Sequence, residues 1–189
     1  MSKAVGRPRS PEADDAIFFA AKKLFFLNAY DDVSMQMIAD EASVSKATLY
    51  RRWSKKSELA IEVLIQLVMA HRSDFKIEGS YRQRLLKNLH GLRDLLSSPY
   101  ADVVASLIAL TQHDDQLRRI FIDAFLRPVQ AIGDEDLAKA VIDGELEFPL
   151  DQDLLFDQMF GLFYYRLLIA DRAVSDEDIN RVVSIFLDR

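Results

Sequence analysis

Apolar residues recur every three or four positions along most of the chain. Ile17, Ala20, Ala21, Leu24 and Phe25 form one such stripe, and Ile179, Val182, Val183, Phe186 and Leu187 form another. This spacing gathers side chains on one face of an α-helix, because 3.6 residues complete a turn. No stretch alternates apolar and polar residues between turn signals, as a half-buried strand would. Gly and Pro are scarce, at 6 and 5 residues, so few breaks interrupt the pattern. The pattern predicts an all-α fold of about nine helices.

The breaks that do occur place the helices. Pro11 with Glu12, Asp14 and Asp15 suits a first turn, where proline and acids fit the orphan N–H groups. Ser34 and Ser45 are N-cap residues for short helices over Met35 to Glu41 and Lys46 to about Arg52, and Ser54 opens a longer one to about Arg72. Gly79-Ser80 and Ser97-Ser98-Pro99 bound helices near 81–96 and 100–113. A further helix covers about 114–131, which Pro128 is expected to kink or end because its ring removes a ladder hydrogen bond. Asp134 to Asp143 reads as a short helix before the turn "DGELEFPLD".

Residues 154–170, "LLFDQMFGLFYYRLLIA", are apolar or aromatic at 13 of 17 positions, nearly all round the helix. Such a helix is buried on all sides or spans a membrane. A span needs roughly 20 uninterrupted apolar residues, and Asp157 and Arg166 interrupt this one. Cover from a second copy of the chain is the better reading, with Gly161 allowing close backbone approach. Tyr165 and Leu168 join Gly161 on this predicted homodimer face, together with Ile179, Val182, Val183 and Phe186 of the last helix.

Charge and composition narrow the partners. The chain carries a net charge of -6, yet residues 1–60 hold 10 basic and 8 acidic residues while the rest hold 14 and 22. A basic head on an acidic body fits a protein that offers one end to a polyanion. There is no Cys, which removes disulfides and thiolate metal sites and suits a reducing compartment. "MSKAVGRPRSPEA" lacks the apolar stretch of a secretion signal, so a cytoplasmic location is expected.

The basic charge concentrates in "VSKATLYRRWSKK", Val44 to Lys56. Met35 to Trp53 has the layout of a helix-turn-helix, two short helices joined by Ala42-Ser43-Val44. Ala39 is small where the helices cross, and Val44 and Leu49 pin the second helix on the first. Ser45 caps that second helix, whose N-terminus has the positive character suited to phosphate.

These residues resemble the tetracycline-repressor (TetR) family of transcriptional regulators. The resemblance covers roughly residues 17–59 and rests on Ala20, Ala21, Leu24, Phe25, Tyr30, Ser34, Ile38, Ala39, Ala42, Val44, Ser45, Thr48, Leu49, Tyr50, Trp53, Lys56, Glu58 and Leu59. "GELEFPLDQDLLFDQMFGLFYYRLL" is similar, more loosely, to a segment of the family's C-terminal domains. The organisation so implied is a flexible basic tail over 1–10, a three-helix DNA-binding domain over 11–56, and a helical effector-binding and dimerisation domain over 57–189. The chain departs from the family at Ala29, Ser43 and Ala47, where glycine is usual. Ser43 would then hold positive φ at a cost on the order of 1 kcal/mol, and Asn28 would supply the left-handed residue that Ala29 cannot.

The resemblance also implies roles. Ser34, Thr48, Tyr50 and Lys56 would meet phosphates, Ser45 would join the DNA-binding positions as the cap of the recognition helix, and Lys46, Ala47 and Arg51 would reach base edges, arginine reading guanine bidentately. Arg52 and Lys55 would be backbone contacts or merely solvated, and Trp53 a plug between helices. Arg7 and Arg9 in "VGRPRS" resemble a minor-groove arm, the other reading being a solubilising tail. An effector pocket in the body would involve Phe121, Phe125, Phe160 and Tyr164, with Arg93, Thr111 and His113 as polar groups that orient a ligand. The three histidines lie on separate helices without ligand spacing, and no phosphate loop or nucleophile motif is present, so neither a metal, a cofactor nor an enzymatic activity is expected. The function implied is a homodimeric regulator, usually a repressor, that binds a palindromic operator in double-stranded DNA and is released by a small apolar molecule. The alternative is a helical ligand-binding or interaction module without operator specificity.

Overall fold

The computed structural model describes residues 11–73, 79–146 and 151–188. Among these the secondary structure is helical, with no strand. Arg7 and Arg9, with the rest of the tail, and 147–150 of the predicted turn lie outside the described residues.

Helix α1 (Pro11–Leu27) opens with Glu12 and Asp14 in its first turn. Its stripe of Ile17, Ala20, Ala21 and Phe25 is buried. Asn28 ends it without a positive φ, contrary to the sequence expectation; its amide Nδ2 instead donates to the Leu24 carbonyl at 2.9 Å. The same carbonyl also accepts the Asn28 backbone N–H at 3.0 Å, so side chain and backbone of Asn28 together close the last turn without a left-handed residue. A single 3₁₀ turn, Tyr30–Asp32, then leads to α2 (Met35–Glu41), capped by Ser34, and α3 (Lys46–Tyr50), capped by Ser45. Between them Ser43 takes φ 54°, the left-handed value that the missing glycine predicts. The Val44 N–H donates to the Ala39 carbonyl at 3.0 Å across this turn, holding the strained residue in place.

Helix α4 (Lys56–Ser73) joins the head to the body, packing against α1 on one side and α6 and α7 on the other. Ser54 lies just before it, and its N–H and hydroxyl both bond the Glu58 carboxylate, at 2.8 and 2.9 Å. Leu59, Ala60, Val63 and Leu64 are buried along it.

The body is built on α5 (Tyr81–Leu96), whose neighbours are α6 (Tyr100–Thr111), α8, α9 and α10. Helix α7 (Asp115–Phe121) runs through a π-helical segment, Ile122–Leu126, directly into α8 (Arg127–Ile142). Pro128 therefore neither ends the helix nor separates a short one beyond it. It sits in the first turn of α8, just after the π segment, where a missing N–H is tolerated. Helix α9 (Gln152–Phe163) likewise passes into a π segment, Tyr164–Ile169. Helix α10 (Asp176–Leu187) starts at a reciprocal cap between Ser175 and Asp178. Counted as continuous rods, the described helices number nine. No helix among the described residues is long and apolar enough to cross a membrane.

Candidate nucleic-acid interface and effector cavity

Leu49 is fully buried and fixes the roll of α3 on α2. Removing its side chain by Leu49→Ala would cost roughly 2–5 kcal/mol and loosen this helix first. With Leu49 inward, Ser45, Lys46, Ala47, Tyr50 and Arg51 are exposed and Thr48 half-exposed. The Ser45 hydroxyl accepts from the Thr48 N–H at 3.1 Å and lies 2.9 Å from the Thr48 hydroxyl, so both hydroxyls are oriented before any partner arrives. The Lys46 ammonium lies 5.9 Å from the Tyr50 ring centre. Ser34, also exposed, accepts from the Met37 N–H at 3.2 Å.

The charges of the basic run divide into two sets. No carboxylate among the described residues pairs with Lys46 or Arg51, so none of these neutralises either cation. Arg52 instead pairs with Asp14 of α1 and lies 5.8 Å from the Trp53 ring, and Lys55 pairs with Asp114 at 2.7 Å. Trp53 is buried, as its role of plug requires, and donates its indole N–H to Glu62 at 2.8 Å. Lys56, expected at a phosphate, is turned inward. Its ammonium donates to the Tyr30 carbonyl at 2.5 Å and lies 4.0 Å from the Tyr30 ring centre, and burial lowers its pKa. Tyr30 is itself buried, which raises its phenol to about 12. Lys56 thus ties the 3₁₀ turn to the start of α4.

In the body, α4, α5, α6, α8 and α9 enclose a cavity of about 390 Å³. Leu67 and Val68 come from α4, Leu85 to Leu95 from α5, Tyr100 from α6, Val129 to Leu137 from α8, and Leu155 to Phe160 from α9. The size falls within the usual range of small-molecule sites, roughly 300–1,000 Å³.

Of the expected effector residues, Phe160 lines this cavity and the others do not. Phe121 and Phe125 are buried in the core as a tilted pair 5.2 Å apart. Thr111 is buried with its hydroxyl donating to the Ile108 carbonyl at 2.7 Å, and His113 is exposed on the surface. Arg93 is drawn outward to Asp94, at 3.1 Å, and to Asp176 of α10. Tyr164, half-buried, belongs to the π segment beyond the wall. The wall residues that sequence reasoning missed include Asn88, Tyr100, Asp134, Phe156 and Met159. A signal did exist. Val129, Ile132, Gly133 and Leu137 follow i, i+3, i+4, i+8, but the expected boundary between a helix ending near 131 and one starting at Asp134 split that pattern.

Ile179 and Val183 are fully buried against their own chain, so they are core rather than part of a face open to a second copy. Helix α10 packs them on α5. Gly161 is exposed and Leu168, Val182 and Phe186 are half-buried. Tyr165 is 54% exposed, alongside Leu154, Ile169 at 61% and Ile185, so an apolar face does remain on these two helices. Arg166, next to Tyr165 in sequence, pairs with Asp178 of α10 at 2.5 Å.

Comparison with known proteins sets this geometry in context. Residues 17–63 match the family described as bacterial regulatory proteins, tetR family, and residues 77–186 match the tetracyclin repressor-like C-terminal domain. An HTH-type transcriptional regulator of Bacillus subtilis, YdeS, is 31% identical over 183 residues, covering 97% of this chain and 92% of that protein. The DNA-binding transcriptional repressor TetR of Mycobacteroides abscessus is 31% identical over 176 residues, covering 89% and 88%. Among solved structures, the TetR family transcription regulator SCO0332 superposes with a TM-score of 0.83 at 27% identity, covering 94% of this chain and 97% of that one. The regulator FadR from Bacillus subtilis, solved with stearoyl-CoA, superposes at 0.67 with 20% identity, covering 92% and 97%.

Proposed function

Because the chain belongs to the tetracycline-repressor family of transcriptional regulators, we propose that it is a homodimeric repressor that reads a palindromic operator and leaves it when a small molecule fills the cavity of the body. The observation that carries the reading is the pair of unneutralised cations, Lys46 and Arg51, on the exposed face of α3, beside cations of the same run that are committed internally. Lys46, Ala47 and Arg51 reach base edges, while Ser34, Ser45, Thr48 and Tyr50 hold phosphates. Residues 11–56 act as the DNA-binding unit and 57–189 as the effector and dimer unit.

Two chains associate through Tyr165, Ile169, Leu154 and Ile185, with Gly161 admitting close approach. Two recognition helices then meet successive major grooves, with half-sites about 34–36 Å apart.

Release works through the contacts between the cavity wall and the head. Tyr100 lines the cavity, yet its hydroxyl donates to the Lys22 carbonyl of α1 at 3.2 Å and its ring lies 5.6 Å from Phe26. Two residues on, Asp102 accepts the Tyr30 N–H at 2.6 Å. Lys55 and Asp114 make a third tie. A ligand that displaces Tyr100 shifts α6, and with it both α1 and the 3₁₀ turn that orients the helix-turn-helix. It does so only to the extent that it binds one arrangement better than the other. The likeness to FadR solved with stearoyl-CoA supports a ligand with a sizeable apolar part. Selection from a random duplex library tests the reading. A single palindromic motif enriched by the wild-type chain is the expected result, and enrichment of no motif contradicts it.

A further inference from the structure

We propose that the cavity takes a lipophilic cation, a compact ammonium or amidinium head on one apolar body. The inference rests on the reading of this cavity as the effector site and specifies the chemistry of its ligand.

Most of the wall is aliphatic or aromatic, which sets the apolar body. Its formal charge has one sign. Asp94 and Asp134 lie on the wall, and among the described residues no lining side chain is Lys, Arg or His. The two carboxylates are not equivalent. Asp94 has the Arg93 Nε at 3.1 Å, so its charge is partly offset. Asp134, half-buried on α8, receives no hydrogen bond or ion pair from the described residues. Loss of water, and then the charge of Asp153, raise its pKa, which is the mark of an anion lacking a counter-ion. A cationic ligand supplies that counter-ion. An anionic head would give up its own hydration to meet two like charges.

The neutral polar groups point the same way. Asn88 and Gln130 line the cavity, and each donates from its amide NH₂ to a carboxylate outside the lining, Asp136 at 3.2 Å and Asp153 at 2.6 Å. The carbonyl oxygen of each amide is an acceptor, suited to a donor head rather than to an anion. Phe156 and Phe160 add a stacked aromatic pair, with centroids 5.6 Å apart and planes 14° from parallel. A ring face attracts a cation held within about 6 Å of it.

Calorimetric titration of the full chain with decyltrimethylammonium, decanol and decanoate, each below its micellar or solubility limit, tests the proposal. The expected order of affinity is cation, alcohol, carboxylate, with the cation at least about tenfold ahead of the carboxylate. Asp134→Asn is expected to bring the cation down to the alcohol, and Asp94→Asn to lower it less. Decanoate binding as tightly as the cation, an order unmoved by Asp134→Asn, or no binding by any of the three overturns the proposal. The order in the unsubstituted chain remains decisive if a variant does not fold. Operator binding measured on the same preparations separates the two readings. Intact operator binding with no preference for the cation removes this inference alone, whereas absence of any operator removes the regulator reading itself.

Discussion

The candidate recognition face and the candidate effector cavity are built in opposite ways. Every exposed side chain of the recognition face lies between Ser45 and Arg51, on one short helix whose roll is set by Leu49. The cavity draws on five helices, from Leu67 on α4 to Phe160 on α9. A side chain on a single helix has its direction fixed by periodicity and by a cap next to it. A side chain on a cavity wall has its direction fixed by how distant helices cross, which depends on the whole body. The recognition helix also holds two cations, Lys46 and Arg51, with no carboxylate partner among the described residues, while Arg93 and Arg166 of the body are matched to carboxylates. Readiness for a polyanion and containment of a small ligand thus leave different electrostatic signatures within one chain.

The largest test of this division falls on the face proposed to join two copies. Tyr165→Asp combined with Ile169→Asp is expected to yield monomers by light scattering, with operator affinity falling about a hundredfold or more as the linked second half-site is lost. Val183→Asp at the buried side of α10 is expected to unfold the chain instead, since it places an unpaired charge in the core. Dimers that survive the double substitution would move the interface elsewhere.

Within the head, Arg51→Ala is expected to lower affinity for the selected operator by about 1–3 kcal/mol and to relax preference at one base position. Lys56→Ala is expected to act differently, lowering the melting temperature through loss of the Tyr30 tie, with little change in base preference. Selection profiles and melting curves of the two variants separate these outcomes.

Between head and body, Tyr100→Phe keeps the ring on the cavity wall but removes the bond to Lys22. Ligand affinity is expected to hold while the ligand's effect on operator affinity shrinks about threefold, in keeping with the worth of one hydrogen bond. An unchanged effect would take Tyr100 out of the coupling.

The smallest effects concern local strain and acid. Ser43→Gly is expected to stabilise the chain by about 1 kcal/mol, because glycine takes positive φ without strain. Asp178 has its pKa lowered to about 2 by the Ser175 backbone bond and then by Arg166. A lowered carboxylate stabilises the fold above its ordinary value of 3.8, and that contribution is lost as pH falls toward about 2. Acid titration of melting temperature should therefore show a steeper loss in the wild type than in Asp178→Asn over this window.

The same contrast explains what could be read from the sequence. Ser34, Ser45, Leu49 and Trp53 announced their roles because capping and burial act within a few residues, and even the strained φ of Ser43 followed from a missing glycine. The helices were legible for the same reason, apart from the passage through Pro128, where a π segment reset the hydrogen bonding. The cavity was not. Phe160 was found, but Phe121, Phe125, Thr111 and His113 were proposed from residue type, which cannot separate a ring that packs in the core from one that faces a void. Burial of Ile179 and Val183 was legible as an apolar stripe, whereas the partner they face, α5, was not.

The proposed function requires the chain to read a specific duplex through the exposed face of α3. Its most direct test is a fluorescence titration of the selected palindrome and a scrambled duplex, at several salt concentrations, with wild-type chain and Arg51→Ala. The account predicts that the wild type favours the palindrome by several kcal/mol, that affinity falls steeply with salt, and that Arg51→Ala narrows the gap. Equal affinity for both duplexes, or a gap that Arg51→Ala leaves untouched, would contradict it.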